Sequence, residues 1–129
     1  MPRKVDKPTR PPADARSVCP VACTLDLIGD RWTLLVVRDL FAGKRQFKEF
    51  ADAPESIATN ILASRLKLLV DHGLVERSVN ESARGKPVIY DLTQRGRSLE
   101  PLLTGIAEWG LKHIPGTKMR ITPKSAAKS

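Results

Sequence analysis

Aromatic residues are scarce in this chain, at 5% of 129 positions, and there are only two cysteines and two histidines. A core built from it is therefore mainly aliphatic. A zinc site wants about four ligands, and the Cys, His and acidic donors are not grouped at ligand spacing, so no metal is expected. No apolar run approaches the roughly 20 residues of a membrane-spanning helix; Leu34-Leu35-Val36-Val37 is among the longest. The Pro-rich, charged N-terminus lacks the apolar segment of a secretory signal, and the expected location is cytoplasmic, with no membrane partner. Neither a glycine-rich phosphate loop nor a histidine–carboxylate cluster is present. The reading is accordingly not an enzyme, with no catalytic residues and no cofactor.

Acid is also missing where base collects. Residues 1–17 hold five Lys/Arg against two Asp, and residues 112–129 hold five Lys/Arg and no acid. That leaves 22 − 10 = 12 basic and 14 − 2 = 12 acidic residues between them, so the formal net charge of +8 resides in the two ends. The expected organisation is a flexible basic arm at 1–17, one domain at 18–114 and a basic tail at 115–129. The ends either attract phosphates in a salt-sensitive way or are simply solvated. For the domain itself, evidence must come from local clustering.

What is present is a set of punctuated apolar periods. The spacing predicts a short helix over Cys19 to Ile28, with Pro20 in its first turn and Gly29 stopping it. A second helix runs from Arg31 to Phe41, with Trp32, Leu35, Val36 and Leu40 as its buried stripe; Asp30 or Thr33 starts it and Gly43 ends it. A short third helix opens at Lys44, turns Phe47 and Phe50 inward, and ends near Asp52. After Pro54 a fourth helix spans Ile57 to Val70 and is closed by Asp71-His72-Gly73. At about 100° per residue it sorts Ala58, Ile61, Leu62, Leu66 and Leu69 onto one arc. Thr59, Asn60, Ala63, Ser64 and Lys67 fall on the other, which carries no carboxylate. A helix kept only for solubility usually mixes acids and bases on its outer face. Two helices joined by so short a link form a helix-turn-helix.

Beyond Gly73 the period becomes alternating. Val75–Val79 and Val88–Leu92 read as two strands around a loop bearing Arg84, Gly85 and Lys86. Directly after a helix-turn-helix such a ribbon reads as the wing of a winged helix; the plainer alternative is a hairpin tip with solvated charges. Thr93 then caps a last helix carrying Leu99, Leu102, Leu103, Ile106 and Trp109, with a bend expected between Arg97 and Pro101. That stripe either packs on its own domain or forms a dimer interface with a second copy. The fold class is thus mainly α with a small β-hairpin, a winged helix-turn-helix with N- and C-terminal helices suited to dimerisation.

On double-stranded operator DNA, which the acid-free face would suit, these elements take the following roles; the plainer alternative is an ordinary amphipathic helix with a solvated outer face. Thr59, Asn60, Ala63 and Ser64 are placed to read bases; Asn60 suits adenine and Thr59 a thymine methyl. Lys44, Arg45, Lys48 and Lys67 are phosphate candidates, as are Arg84 and Lys86 on the wing. Arg65 falls inside the apolar arc, so its head meets either a carboxylate or a phosphate. Cys19 and Cys23 lie one turn apart on one helix face, where a disulfide between them would be strained. Cys19 sits near a helix N-terminus with Arg16 close in sequence, which favours a thiolate; the alternative is a small buried hydrophobe.

The ordered set resembles the HxlR-type transcriptional regulators. The residues that carry this are Cys19-Pro20, Leu25, Ile28-Gly29, Trp32-Thr33-Leu34-Leu35, Phe47-Lys48-Glu49-Phe50, Ile57 to Leu62, Arg65-Leu66, Gly73-Leu74-Val75, Tyr90 to Thr93, Gly96 and Trp109. The resemblance covers roughly residues 18–111. It implies a MarR-like winged helix that binds operator DNA as a homodimer through its terminal helices and responds to electrophiles, oxidants or another small-molecule effector. It also implies a redox or electrophile sensor at Cys19. Some sensing relatives pair that cysteine with a second one near the partner's C-terminus, and this chain has none there. One departure is Asp30-Arg31, where a small residue and Lys are common; the expectation is that this position does not touch DNA. A winged-helix protein-interaction module without DNA binding is the competing reading.

Overall fold

The computed structural model describes residues 17–119. Residues 1–16 of the expected arm, and the expected tail from residue 120, lie outside the described residues. The elements run α1 (Pro20–Ile28), α2 (Thr33–Phe41), α3 (Phe47–Ala51), α4 (Thr59–Asp71), β1 (Val75–Val79), β2 (Val88–Leu92), α5 (Gln94–Arg97) and α6 (Glu100–His113). The strands form an antiparallel hairpin with Val75 opposite Leu92 and Val79 opposite Val88.

The core is aliphatic, as the composition requires. Val36, Val37, Leu40 and Phe41 from α2 meet Leu62, Leu66 and Leu69 from α4. Phe50 from α3, Ile57, Leu74, Val75 and Leu92 complete it. Each large apolar side chain so buried is worth roughly 1.5–3 kcal/mol relative to exposure. The Phe50 ring meets Tyr90 edge-on, with centroids 6.4 Å apart, which joins α3 to the wing. Trp32 is half-buried against this core, and the Arg31 guanidinium lies 4.9 Å from its ring centroid.

Several boundaries differ from the sequence expectation. The third helix starts at Phe47 rather than Lys44, because Gln46 is extended and caps it. Gln46 and Glu49 form a reciprocal capping box. Arg45 and Gln46 donate their backbone N–H groups to Glu49 Oε1 at 2.7 and 2.9 Å. The fourth helix begins at Thr59. Ile57 is buried ahead of it, and Ala58 is its exposed N-cap rather than a core residue. Between them and Pro54, Ser56 turns the chain with φ 60°. Gly73, with φ 75°, supplies the left-handed turn that ends α4.

The last expected helix is two. Thr93 does cap it: its hydroxyl accepts the Gly96 N–H at 3.0 Å and donates to the Gly73 carbonyl at 2.6 Å. That pins α5 to the turn after α4. Gly96 comes so close to Leu74 that an added Cβ would lie 2.0 Å from its carbonyl oxygen. The chain then leaves α5 at Ser98, and Pro101 sits in the first turn of α6, where a missing N–H costs nothing. Pro101 therefore begins a helix instead of bending one.

A candidate nucleic-acid interface

Helix α4 presents the face the sequence arcs describe. Leu62, Leu66 and Leu69 are buried, and Thr59, Asn60, Ala63, Ser64 and Lys67 are exposed. Its N-cap, Ala58, has no side-chain acceptor, and its first turn has no acid. The first amide N–H groups are thus open to water or to an external anion such as phosphate. Short side chains at 59, 60, 63 and 64 allow the helix backbone to approach a groove closely. The face is not wholly free of carboxylate: Lys67 Nζ donates to Asp71 Oδ2, one turn on, at 2.7 Å. Both groups are exposed, so this pair is weak and readily exchanged for a phosphate.

Arg65 is tied to Asp30, a residue expected to start α2 and not to touch DNA. Its Nε donates to Asp30 Oδ2 at 2.8 Å, and its Nη1 donates to Ser64 Oγ at 3.1 Å. The same Asp30 oxygen accepts the Trp32 and Thr33 amides at 3.0 and 3.2 Å, and the Thr33 hydroxyl bonds to the other oxygen. Partial burial pushes this carboxyl up, but the hydrogen bonds from Thr33, Arg65 and the Trp32 amide outweigh it and hold the pKa at about 2. Asp30 is therefore charged and bound to α4, not a bystander to it. The available signal was its suitability as a helix cap; its link to a side chain 35 positions away has no local signature.

The other cations divide by surroundings. The Arg45 guanidinium is turned inward: Nη1 donates to the carbonyls of Leu40 and Lys44 at 3.0 and 2.8 Å, and Nη2 lies 3.5 Å from Asp91. With Tyr90 N–H donating to its carbonyl at 2.8 Å, Arg45 stitches the helix-turn-helix to the wing. Lys44 lies 3.7 Å from the buried Asp39. Burial pushes the Asp39 carboxyl up, and Arg38 and Lys44 counter that. Arg38 also grips Glu55 with two hydrogen bonds of 2.8 and 2.9 Å, fixing the link between α3 and α4. Lys48 is exposed on α3. On the wing, Arg84 and Lys86 are exposed around Gly85, and Lys86 stands 3.9 Å from Glu81.

Two further features lie away from this face. Cys19 is the exposed N-cap of α1, and Ser17 Oγ accepts its N–H at 3.0 Å. Cys23 is half-buried and donates its thiol to the Ser17 carbonyl at 3.2 Å. Of the terminal stripe, Leu99 and Leu103 pack against the subunit's own core. Leu102, Ile106 and Trp109 stay exposed, Trp109 by 61%.

A helix-turn-helix whose second helix turns a short-chained polar face outward, followed directly by a two-stranded wing, defines a DNA-binding transcriptional regulator of the winged-helix class. The family model for "HxlR-like helix-turn-helix" matches residues 27–118, and the chain belongs to that family. It is 36% identical over 110 residues to the HTH-type transcriptional regulator YdeP of Bacillus subtilis, covering 85% of this chain and 82% of that one. Among solved structures it resembles the redox regulator HypR in its oxidised form, with a TM-score of 0.68 and 37% identity over 74% of this chain and 97% of that one. It likewise resembles the reduced transcriptional regulator YodB of B. subtilis, with a TM-score of 0.65 and 30% identity over 79% of this chain and all of that one. No described helix is long and apolar enough to cross a membrane.

Proposed function

We propose that the chain acts in the cytoplasm as a homodimer that reads paired operator half-sites with α4. Thr59, Asn60, Ala63 and Ser64 contact base edges; Lys48, Lys67, Arg84 and Lys86 contact phosphates, as do Arg65 and Lys44, each already beside a carboxylate. No catalytic step is part of this reading. Arg45 has the weakest claim among the phosphate candidates, since its guanidinium already serves two carbonyls and a carboxylate. The observation that carries the base-reading assignment is the exposure of those four short side chains together at the uncapped start of α4.

Dimerisation is supported by unspent apolar surface. Helix α6 has 14 residues and none is buried, although Leu102, Ile106, Trp109 and Leu111 lie on it. Helix α1 leaves Val21 and Leu25 exposed, with Val18 just ahead of it. Surface of this kind on a small chain marks an interface, and a two-fold pair also suits palindromic half-sites. The exposed Cys19 on the same helix α1 makes that interface responsive to oxidants or electrophiles. The relative HypR is described as a redox regulator.

The test is a fluorescence anisotropy titration of the full chain on duplexes from the DNA flanking its gene, at several salt concentrations. Sequence preference should persist while affinity falls steeply with salt. Binding to no duplex would favour the protein-interaction reading, and equal affinity for every duplex would overturn base reading by α4. Cys19→Ser, titrated with and without oxidant, should lose the response that wild type shows.

A further inference from the structure

Asp30 and Arg65 form a contact that the proposed interface does not need for packing. The carboxylate cannot rotate freely, because two amides and a hydroxyl from the first turn of α2 hold it. It engages the Nε edge of the guanidinium, while Nη1 is also bonded to the exposed Ser64. Nη2 takes no hydrogen bond among the described residues and the side chain keeps 24% of its surface exposed, so the fork retains unpaired donors beside Ser64. An arginine side chain freezes several rotors when it binds a phosphate, and a guanidinium already held loses less freedom on doing so. The carboxylate's charge is shared with the N–H groups at a helix start, which limits how far it offsets the cation.

We propose that Asp30 is a positioning residue for DNA binding: it fixes the Arg65 guanidinium beside Ser64 so that the free Nη edge meets a phosphate of the operator backbone. This rests on the outer face of α4 being the DNA-binding face. Asp30 itself touches no DNA.

Anisotropy titrations of the full chain on its operator duplex, across salt concentrations, test this with Asp30→Asn, Arg65→Gln and the double variant. Asparagine keeps an acceptor for the α2 amides, and Arg65→Gln leaves that cap intact. Asp30→Asn should weaken operator binding by about tenfold. Arg65→Gln should weaken it at least as much and make the salt slope shallower by about one. The double variant should be no weaker than Arg65→Gln alone. Tighter binding by Asp30→Asn would overturn the proposal, since Asp30 would then merely screen Arg65. So would losses that multiply in the double variant, or a lowered melting temperature with affinity and salt slope unchanged. If Asp30→Asn is too unstable to titrate, Arg65→Lys decides: it keeps the charge without the fork. A loss like that of Arg65→Gln supports positioning, and wild-type binding overturns it. A wild-type chain that binds no duplex overturns both this and the proposed interface, whereas binding with any of the contrary variant results overturns this alone.

Discussion

Helices α4 and α6 are nearly equal in length, at 13 and 14 residues, and both carry periodic leucines, yet they are finished differently. Leu62, Leu66 and Leu69 of α4 are sealed by α2 and the hairpin, and what remains exposed is short, polar or cationic. On α6, only Leu103 packs inward among the leucines, with Leu99 just before the helix, and Leu102, Ile106, Trp109 and Leu111 stay exposed beside polar Thr104, Glu108 and Lys112. The exposed remainder is what each helix offers to a partner. A polar remainder suits nucleic acid, and an apolar one suits another protein surface.

The largest effect should come from removing apolar bulk where it is already covered. Leu66→Ala should cost about 2–5 kcal/mol in denaturant unfolding. Trp109→Ala, measured in dilute protein, should stay within about 0.5 kcal/mol of wild type. Equal costs would erase the contrast. Trp109→Asp should instead shift light-scattering mass from dimer to monomer and weaken operator binding, with the monomer's melting temperature held; an unchanged mass would refute α6 as an interface. Gly96→Ala, forced against the Leu74 carbonyl, should destabilise by about 1–3 kcal/mol.

Acid sharpens the contrast from the α4 side. The Asp30 carboxyl is depressed from 3.8 to about 2 in the folded chain, so its contribution is fully present above the unfolded value and is lost as pH falls through about 2. After allowance for solvent screening this is about 1 kcal/mol. Asp30→Asn should flatten the stability profile between pH 4 and 2, read by chemical unfolding; a profile parallel to wild type would contradict the pairing. Smallest is Gly105→Ala on α6, where an added Cβ meets nothing within 4 Å. In dilute protein it should stabilise by about 0.5–1 kcal/mol through helix propensity.

Much of this was legible locally. Both strands, Val75–Val79 and Val88–Leu92, lie where alternation between Gly73 and Thr93 put them. The arcs of α4 separated buried from exposed residues except at Ala58, because helical periodicity was extended two residues past the true start at Thr59. The break between α5 and α6 was misread as a bend because Pro101 was taken as interior to one helix. The decisive constraint, Gly96 against Leu74, is a tertiary contact. The partners of Arg45 and Asp30 are hidden from the sequence for the same reason. A cation near a helix start looks available to phosphate until the carbonyls of Leu40 and Lys44 are seen around it, and an aspartate looks idle until Arg65 is.

The most direct test of α4's outer face as the reading surface is the affinity of Asn60→Ala for operator and for scrambled duplex, set beside wild type. The account predicts a loss of about tenfold or more on operator and almost none on scrambled DNA. Equal affinity to wild type on both duplexes, or the same loss on both, would contradict it.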